Sequence, residues 1–302
     1  MWHKRRSIGS HIFDAFNVIL MIVMIFIMLY PFLYVFSVSI SDIKQVRENR
    51  VTLFPRGWDT IGYRLVFLGG EIPRAFLNSI YYTAVQTALM LIYVSMAAYP
   101  LSRKRLKGKG VITLLFALTM FLPAGMVPSY LLIQRLGMMN TVWALVLPAL
   151  PAVWYIVIVR TNFQGLPDSL MDSAYIDGAG EFRVLFQIVL PLSKAILATI
   201  GLFTAVGMWN NFFGPLLYLS NQKKYPLAIV LRRVTIQRVH TQTAQGRMAD
   251  GTGLGLEDLR DTGLYRKIEM ATVIIAVSPI LVVYPFVQKY FVKGVLIGSL
   301  KG

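Results

Sequence analysis

Residues 78–101 read NSIYYTAVQTALMLIYVSMAAYPL, twenty-four positions without an Asp, Glu, Lys, Arg or His. An α-helix rises about 1.5 Å per residue, so roughly 20 mainly apolar residues cross the ~30 Å of hydrocarbon in a bilayer. The stretch is long enough to span, and nothing in it forbids burial in lipid. Directly after it come Arg103, Lys104, Arg105, Lys107 and Lys109, a dense basic run of the kind that stays on the cytoplasmic side of a membrane.

Five further stretches meet the same requirement: 12–40, 111–132, 142–159, 195–219 and 270–286. The first follows Lys4-Arg5-Arg6 and holds Asp14 and Pro31; it is longer than the ~7–15 apolar residues of a cleavable signal, so it is expected to be a retained helix. The chain is therefore expected to be an all-α, polytopic membrane protein of six transmembrane helices. Composition agrees, since 56% of its 302 residues are hydrophobic and only 15% charged. A soluble domain carries roughly 25% charged residues, which argues against a soluble enzyme or a disordered chain. With no cysteine and only His3, His11 and His240, neither a disulfide scaffold nor a Cys/His metal centre is expected. The lack of cysteine leaves the redox compartment open.

A formal net charge of +16 would suit nucleic acid, but the basic residues sit between apolar runs, where they act as topology signals and headgroup ligands. No nucleic-acid partner is expected. The density of charge before the first span and in the Arg103–Lys109 loop predicts both termini in the cytoplasm. Two long segments then lie outside, Ser41–Leu77 and Ser220–Glu269, the second holding the glycine-rich Asp250–Gly255 tip.

Spans two to six contain no Asp, Glu, Lys, Arg or His, which argues against a proton-driven carrier; sodium coupling through carbonyls and hydroxyls stays open. No GxxxxGK[ST] phosphate loop is present, so energy for active transport must come from another subunit. Uncharged polar groups do occur inside the spans: Asn78, Gln86 and Thr87 in the second, Thr204, Trp209, Asn210 and Asn211 in the fifth. They serve either as interhelical hydrogen-bonding groups or as the lining of a polar solute path. The path reading is strongest at Trp209-Asn210-Asn211, where an aromatic face and amides match what a sugar ring offers.

Between the fourth and fifth spans lies the segment 161–194, TNFQGLPDSLMDSAYIDGAGEFRVLFQIVLPLSK. Pro167 with Asp168 and Ser169 predicts a helix start. Leu170, Ala174 and Tyr175 are expected on one face, with Asp172 and Ser173 directed elsewhere. Gly178 and Gly180 allow a turn, after which Phe182, Leu185, Phe186 and Val189 share helical spacing until Leu190-Pro191 ends the second helix.

The spacing of Asp172-Ser173-Ala174, Gly178 and Ile188-Val189-Leu190-Pro191 resembles the EAA loop of binding-protein-dependent ABC importer permeases, in which EAA is followed after three residues by Gly and after nine more by I-x-L-P. Two positions depart, Asp172 for Glu and Ser173 for the first Ala. Trp209-Asn210-Asn211-Phe212 and the ending Tyr290–Gly302 are similar to the maltose-type carbohydrate branch, specifically its second permease. The resemblance implies a type I ABC importer transmembrane domain over 1–302, in the bacterial cytoplasmic (inner) membrane, that imports a carbohydrate and is not itself an enzyme. It implies a heterodimer with a related permease, two ATPase subunits that hold the ATP and Mg, and an extracytoplasmic solute-binding protein; no cofactor or metal is expected in this chain. The implied coupling residues are Asp172, Ser173, Ala174, Tyr175, Gly178, Phe182, Ile188, Leu190 and Pro191, with Ala174 small because it would pack against the ATPase. The translocation-path candidates are Asn78, Gln86, Trp209, Asn210 and Asn211.

The outer segments are net basic, which would favour an anionic oligosaccharide such as an alginate- or pectin-derived one; contact with acidic faces of the binding protein or with anionic lipid is the other explanation. A secondary carrier for a polar solute is the alternative function.

Overall fold

The computed structural model describes residues 8–122, 124–234 and 258–299. Residues 235–257 of the second outer segment, which include the glycine-rich tip at 250–255, and the last three residues of the tail lie outside the described residues. Among the described residues every regular element is helical. In chain order these are α1 (Ile8–Ile40), α2 (Ile43–Arg47), α3 (Ile61–Leu68), α4 (Glu71–Ser102), α5 (Lys109–Phe121), α6 (Met126–Arg135) and α7 (Val142–Val146, extended by a 3-10 turn to Ala149). Then come α8 (Val153–Gln164), α9 (Asp168–Ile176), α10 (Glu181–Val184), α11 (Leu190–Leu192), α12 (Lys194–Trp209), α13 (Phe213–Tyr218), α14 (227–234) and α15 (Asp258–Ser299).

Three helical stretches are long and apolar enough to cross a membrane unaided: His11–Ile40, Glu71–Ser102 and Gly263–Pro285. Three bent pairs reach the same length and apolarity only when each pair is taken together: α5 with α6 at 110°, α7 with α8 at 55°, and the loop helix Glu181–Leu192 with α12 at 81°. The expected third and fourth stretches are thus broken. In the third, Gly125 takes φ +82° between α5 and α6; in the fourth, Pro148 and Pro151 lack the N–H that an unbroken helix requires. The expected fifth span, 195–219, divides as well, because α12 ends at Trp209 and α13 begins at Phe213. Pro215 has no N–H to offer the Asn211 carbonyl, and the Asn211 side chain accepts from the Gly214 N–H at 3.0 Å.

The chain divides into two compact units. The first comprises Met1–Ile72 and Leu231–Val277. Most of α1 is apolar all round, with exposed side chains such as Ile12, Met21 and Phe26, the state of a helix solvated by lipid; burial begins only at Ser37–Ser41. Val38, Val46 and Val51 form a small core with Met270 and Tyr34 against it. Here the sixth span differs from expectation. Sequence reading starts it at Met270, after Lys267 and Glu269, yet the helix runs through both. Lys267 is fully buried, its Nζ donating to Asp59 Oδ2 at 2.6 Å and to the Asp59 carbonyl at 2.8 Å. Gly263 is needed beside it, since a Cβ there would meet the Ile43 carbonyl oxygen at 2.9 Å.

The second unit comprises Pro73–Val230 and Ser278–Gly302. Its main core takes Met90, Val94, Ala98 and Tyr99 from α4, Ile156, Val159 and Phe163 from α8, Met171 from α9, Val184, Leu185 and Val189 beyond, and Ile200 from α12. The spacing of three and four residues along α4 and α8 is that of helices burying one stripe. The loop helices are therefore built into the same core as the spans. A second cluster joins Tyr82, Ile133, Ala144, Leu145, Met208, Tyr218 and Leu219.

Candidate functional site

The 161–194 segment forms an elbow whose inner side is fixed and whose outer side is bare. Pro167 precedes α9 with φ −59°, and Asp168 opens the first turn, where a carboxylate suits the free N–H groups. Lys104 Nζ reaches Asp168 Oδ2 at 2.9 Å; its hydrogen bond and charge hold the Asp168 carboxyl below its ordinary pKa and, in return, raise that of Lys104. The inward face is Met171, Ala174 and Tyr175. Leu170 is exposed instead, a correction of one position: Met171 fills the core between Phe163 and Val184, which turns Leu170 out. Ala174 also packs inward on its own chain rather than presenting its methyl outward. The outer face shows Asp172, Ser173 and Ile176, the last 86% exposed. Ser173 Oγ donates to the Ser169 carbonyl.

Helix α9 stops at a glycine. Gly178 has φ +78°, its N–H bonds the Tyr175 carbonyl at 3.0 Å and the Ala179 N–H bonds the Ala174 carbonyl at 2.9 Å, a Schellman ending. Nothing lies within 4 Å of where a Gly178 Cβ would stand.

The return helix starts at Glu181, and here too the structure corrects the expected face. Val184, Leu185 and Val189 are buried, whereas Phe182 and Phe186 are exposed, at 70% and 54%. A π turn over Leu185–Val189 shifts the register between them. The helix does not end at Leu190-Pro191 but continues as α11 to Leu192, bending only at the buried Ser193. The wide turn lets Pro191, which is exposed, sit in the helix without a donor; Ile188 and Leu190 are half-buried.

Three residues from three elements meet at the base of the elbow. Glu181 Oε2 accepts from the Tyr99 hydroxyl at 2.6 Å and from the Tyr175 hydroxyl at 2.8 Å, with the two hydroxyls 3.3 Å apart. The Arg103 guanidinium lies 4.7 Å over the Tyr99 ring and that of Arg105 5.8 Å over Tyr175. Burial above all raises the Tyr175 pKa and the Glu181 carboxylate adds to it, so the hydroxyl stays a donor. Tyr99 and Glu181 are absent from the sequence candidates. They lie 82 positions apart, and no local pattern links them. A groove of about 400 Å³ runs beside them, between Met96, Pro100, Leu106, Phe182 and Leu185.

The polar residues of the spans fall into separate places. Asn78 donates to the Lys223 and Tyr225 carbonyls at 2.9 and 3.0 Å, Tyr82 donates to the Lys224 carbonyl, and Ser79 Oγ accepts the Leu227 N–H. Asn78 is thus engaged in holding the segment 223–227 onto α4. Gln86 is buried, and its Oε1, like the hydroxyls of Thr83 and Thr87, has no hydrogen-bond partner among the described residues. Trp209 is buried edge-on to Phe76 at 5.8 Å and borders a cavity of about 140 Å³ with Thr83 and Pro279. Asn210, exposed, caps back on the Val206 carbonyl, and Asn211 makes the α13 turn already described.

Among the described residues, apolar helices, several of them bent, and a polar elbow seated on the core of the second unit are the features of a polytopic membrane protein. The family described as binding-protein-dependent transport system inner membrane component matches residues 3–297, and the chain belongs to it. It is similar to the protein LplC of Bacillus subtilis (strain 168), 38% identical over 97% of this chain and 96% of that one. It is also similar to the polygalacturonan/rhamnogalacturonan transport system permease protein YtcP of the same organism, 35% identical over 97% and 99%. Among solved structures, a bacterial ABC transporter involved in the import of the acidic polysaccharide alginate superposes with a TM-score of 0.83 at 28% identity, over 95% of this chain and 99% of that one. The chain is a transport permease of the inner membrane and not an enzyme.

Proposed function

We propose that this chain is one of two related permease subunits forming the path for an oligosaccharide, delivered by an extracytoplasmic binding protein and driven by two ATPases that bind ATP and Mg. Both termini face the cytoplasm, beside the basic Arg103–Lys109 loop. The elbow at 161–194 is the contact for the ATPases. Asp172, Ser173 and Phe182 supply its outer surface, Gly178 its turn, Ala174 and Tyr175 its seat on the core, and Ile188, Leu190 and Pro191 its join to α12. Within the spans, the path candidates are Gln86, whose Oε1 has no hydrogen-bond partner among the described residues, and Trp209 with its ring; Asn78, Asn210 and Asn211 shape the outer mouth.

The observation that carries this reading is that the bare α9 face rests on a core shared with α4, α8 and α12. A load on α9 therefore reaches three spans at once. The reading of the cargo as acidic rests on the net basic outer segments, together with the polygalacturonan/rhamnogalacturonan in the name of a relative and the acidic polysaccharide alginate in that of a solved neighbour. The test is uptake into proteoliposomes holding the complete transporter and its binding protein. ATP-dependent uptake of labelled oligogalacturonate at least tenfold faster than of a neutral oligosaccharide of equal length is expected. Equal rates would remove the acidic assignment, and no uptake of either would remove carbohydrate.

A further inference from the structure

We propose that Glu181 is a positioning residue for coupling: its carboxylate clasps the end of α9 to the cytoplasmic end of α4, and thereby routes the stroke of the elbow into that span. The proposal rests on the reading of the elbow as the ATPase contact.

Covalently, α9 leads back to α8 and forward, through α10 and α11, to α12. It has no chain connection to α4. Yet α4 is the span that holds Thr83, Gln86 and Thr87 with unpaired polar atoms in its middle, so any movement of a polar path must include it. Just past its end, Lys104 bonds Asp168 at 2.9 Å through two exposed side chains; within α4 itself, the directed bonds to the elbow are at its last turn. One oxygen of Glu181 receives Tyr99 from α4 and Tyr175 from α9 at 2.6 and 2.8 Å, while Glu181 itself opens α10. Hydrogen bonds to an ionised acceptor are short and strong, and two donors on one oxygen fix direction as well as distance. Apolar contacts of Met171 and Leu185 hold the same parts together without fixing their rotation. The space around Gly178 is open, so packing at the tip does not do so either. The clasp thus sets the angle at which α9 stands on α4.

Because Met171, Val184 and Val189 keep the core, removing the clasp should leave assembly intact and loosen transmission. The experiment uses the complete transporter in proteoliposomes and reads the number of solutes moved per ATP hydrolysed, with ATPase copurification as the measure of assembly. Glu181→Ala is expected to lower that ratio about three- to tenfold with full copurification. The double variant Tyr99→Phe/Tyr175→Phe, which keeps both rings, should do the same, and combining all three changes should add nothing, since they break one network. Glu181→Gln, still an acceptor, should recover at least half of the ratio. If Glu181→Ala does not assemble, the double phenylalanine variant decides. A wild-type ratio in that variant, or additive losses, overturns the proposal. Gly178→Leu, measured alongside, separates the two readings: if it uncouples and the clasp variants do not, only the clasp falls; if neither uncouples, the elbow is not the contact and both fall.

Discussion

The ammonium of Lys267 lies 2.6 Å from the carboxylate of Asp59, and no part of the lysine side chain is exposed. Burying a charge costs several kcal/mol, and a paired one survives only if its partner stays in place. Burial pushes the Asp59 carboxyl up, but hydrogen bonds from Lys267 and the Ile61 amide, with the charges of Lys267 and Arg64, bring it below its ordinary value. Asp59→Asn leaves Lys267 buried without a counter-charge and is expected to destabilise the fold by about 3 kcal/mol or more. Thermal unfolding of the detergent-solubilised protein, followed by size exclusion, measures it.

The same pair sets an acid limit. A carboxyl whose folded pKa is depressed contributes stability above its unfolded pKa of about 3.9, and that contribution is lost as pH falls through the folded value. Wild type should therefore lose thermal stability below about pH 4. The Asp59→Asn variant should show a shallower loss over that range.

Gly263 and Gly201 make a contrasting pair. A Cβ at Gly263 meets the Ile43 carbonyl oxygen at 2.9 Å, a backbone atom that cannot swing aside, whereas at Gly201 it meets only side-chain methyls at ordinary contact distance, Leu91 Cδ1 at 3.5 Å and Thr87 Cγ2 at 3.7 Å. Gly263→Ala should cost about 1–3 kcal/mol by overpacking. Gly201→Ala should be neutral or slightly stabilising in the same melt.

Gly178→Leu places a side chain on a residue at φ +78°, where it costs about 1 kcal/mol, and projects an isobutyl group from the open tip into the proposed ATPase contact. Membrane insertion should stay at the wild-type level while uptake and the stimulation of the ATPases fall at least fivefold. Unchanged stimulation would dismiss the elbow as the coupling element.

Gln86→Met distinguishes an interhelical bond from a path lining. The Gln86 carbonyl oxygen has no partner among the described residues, so an apolar replacement of similar volume should leave the melting temperature equal or higher. Uptake should drop if the amide serves the solute. A lower melting temperature with normal uptake would mark Gln86 as structural.

Much of this architecture can be read from residue order, because its causes are local. Spans declare themselves by apolar length, and the elbow by Pro167-Asp168 and by a glycine where α9 must stop. What stays hidden depends on partners far along the chain. Lys267 inside a helix looks like a boundary until Asp59 is known to meet it. Leu170 and Met171 are equally apolar, and only the position of Phe163 selects which is buried. The break after Trp209 was legible in principle, from Pro215 four residues beyond Asn211, but apolar length outweighs one proline when spans are counted. The meeting of Tyr99, Tyr175 and Glu181 has no signature short of the folded chain.

The π turn at Leu185–Val189 makes the spacing of the elbow a mechanical dimension. Each residue of an α-helix advances the azimuth by about 100°, and a π turn absorbs one extra residue without lengthening the helix by a full step. Excising a residue from the regular turn before it, such as Arg183, would instead swing Phe182 by about 100° around the axis toward a different neighbour. The interval from Gly178 to Ile188 is in this sense a gear ratio, and a chain that drifted by a single codon there would aim its stroke elsewhere.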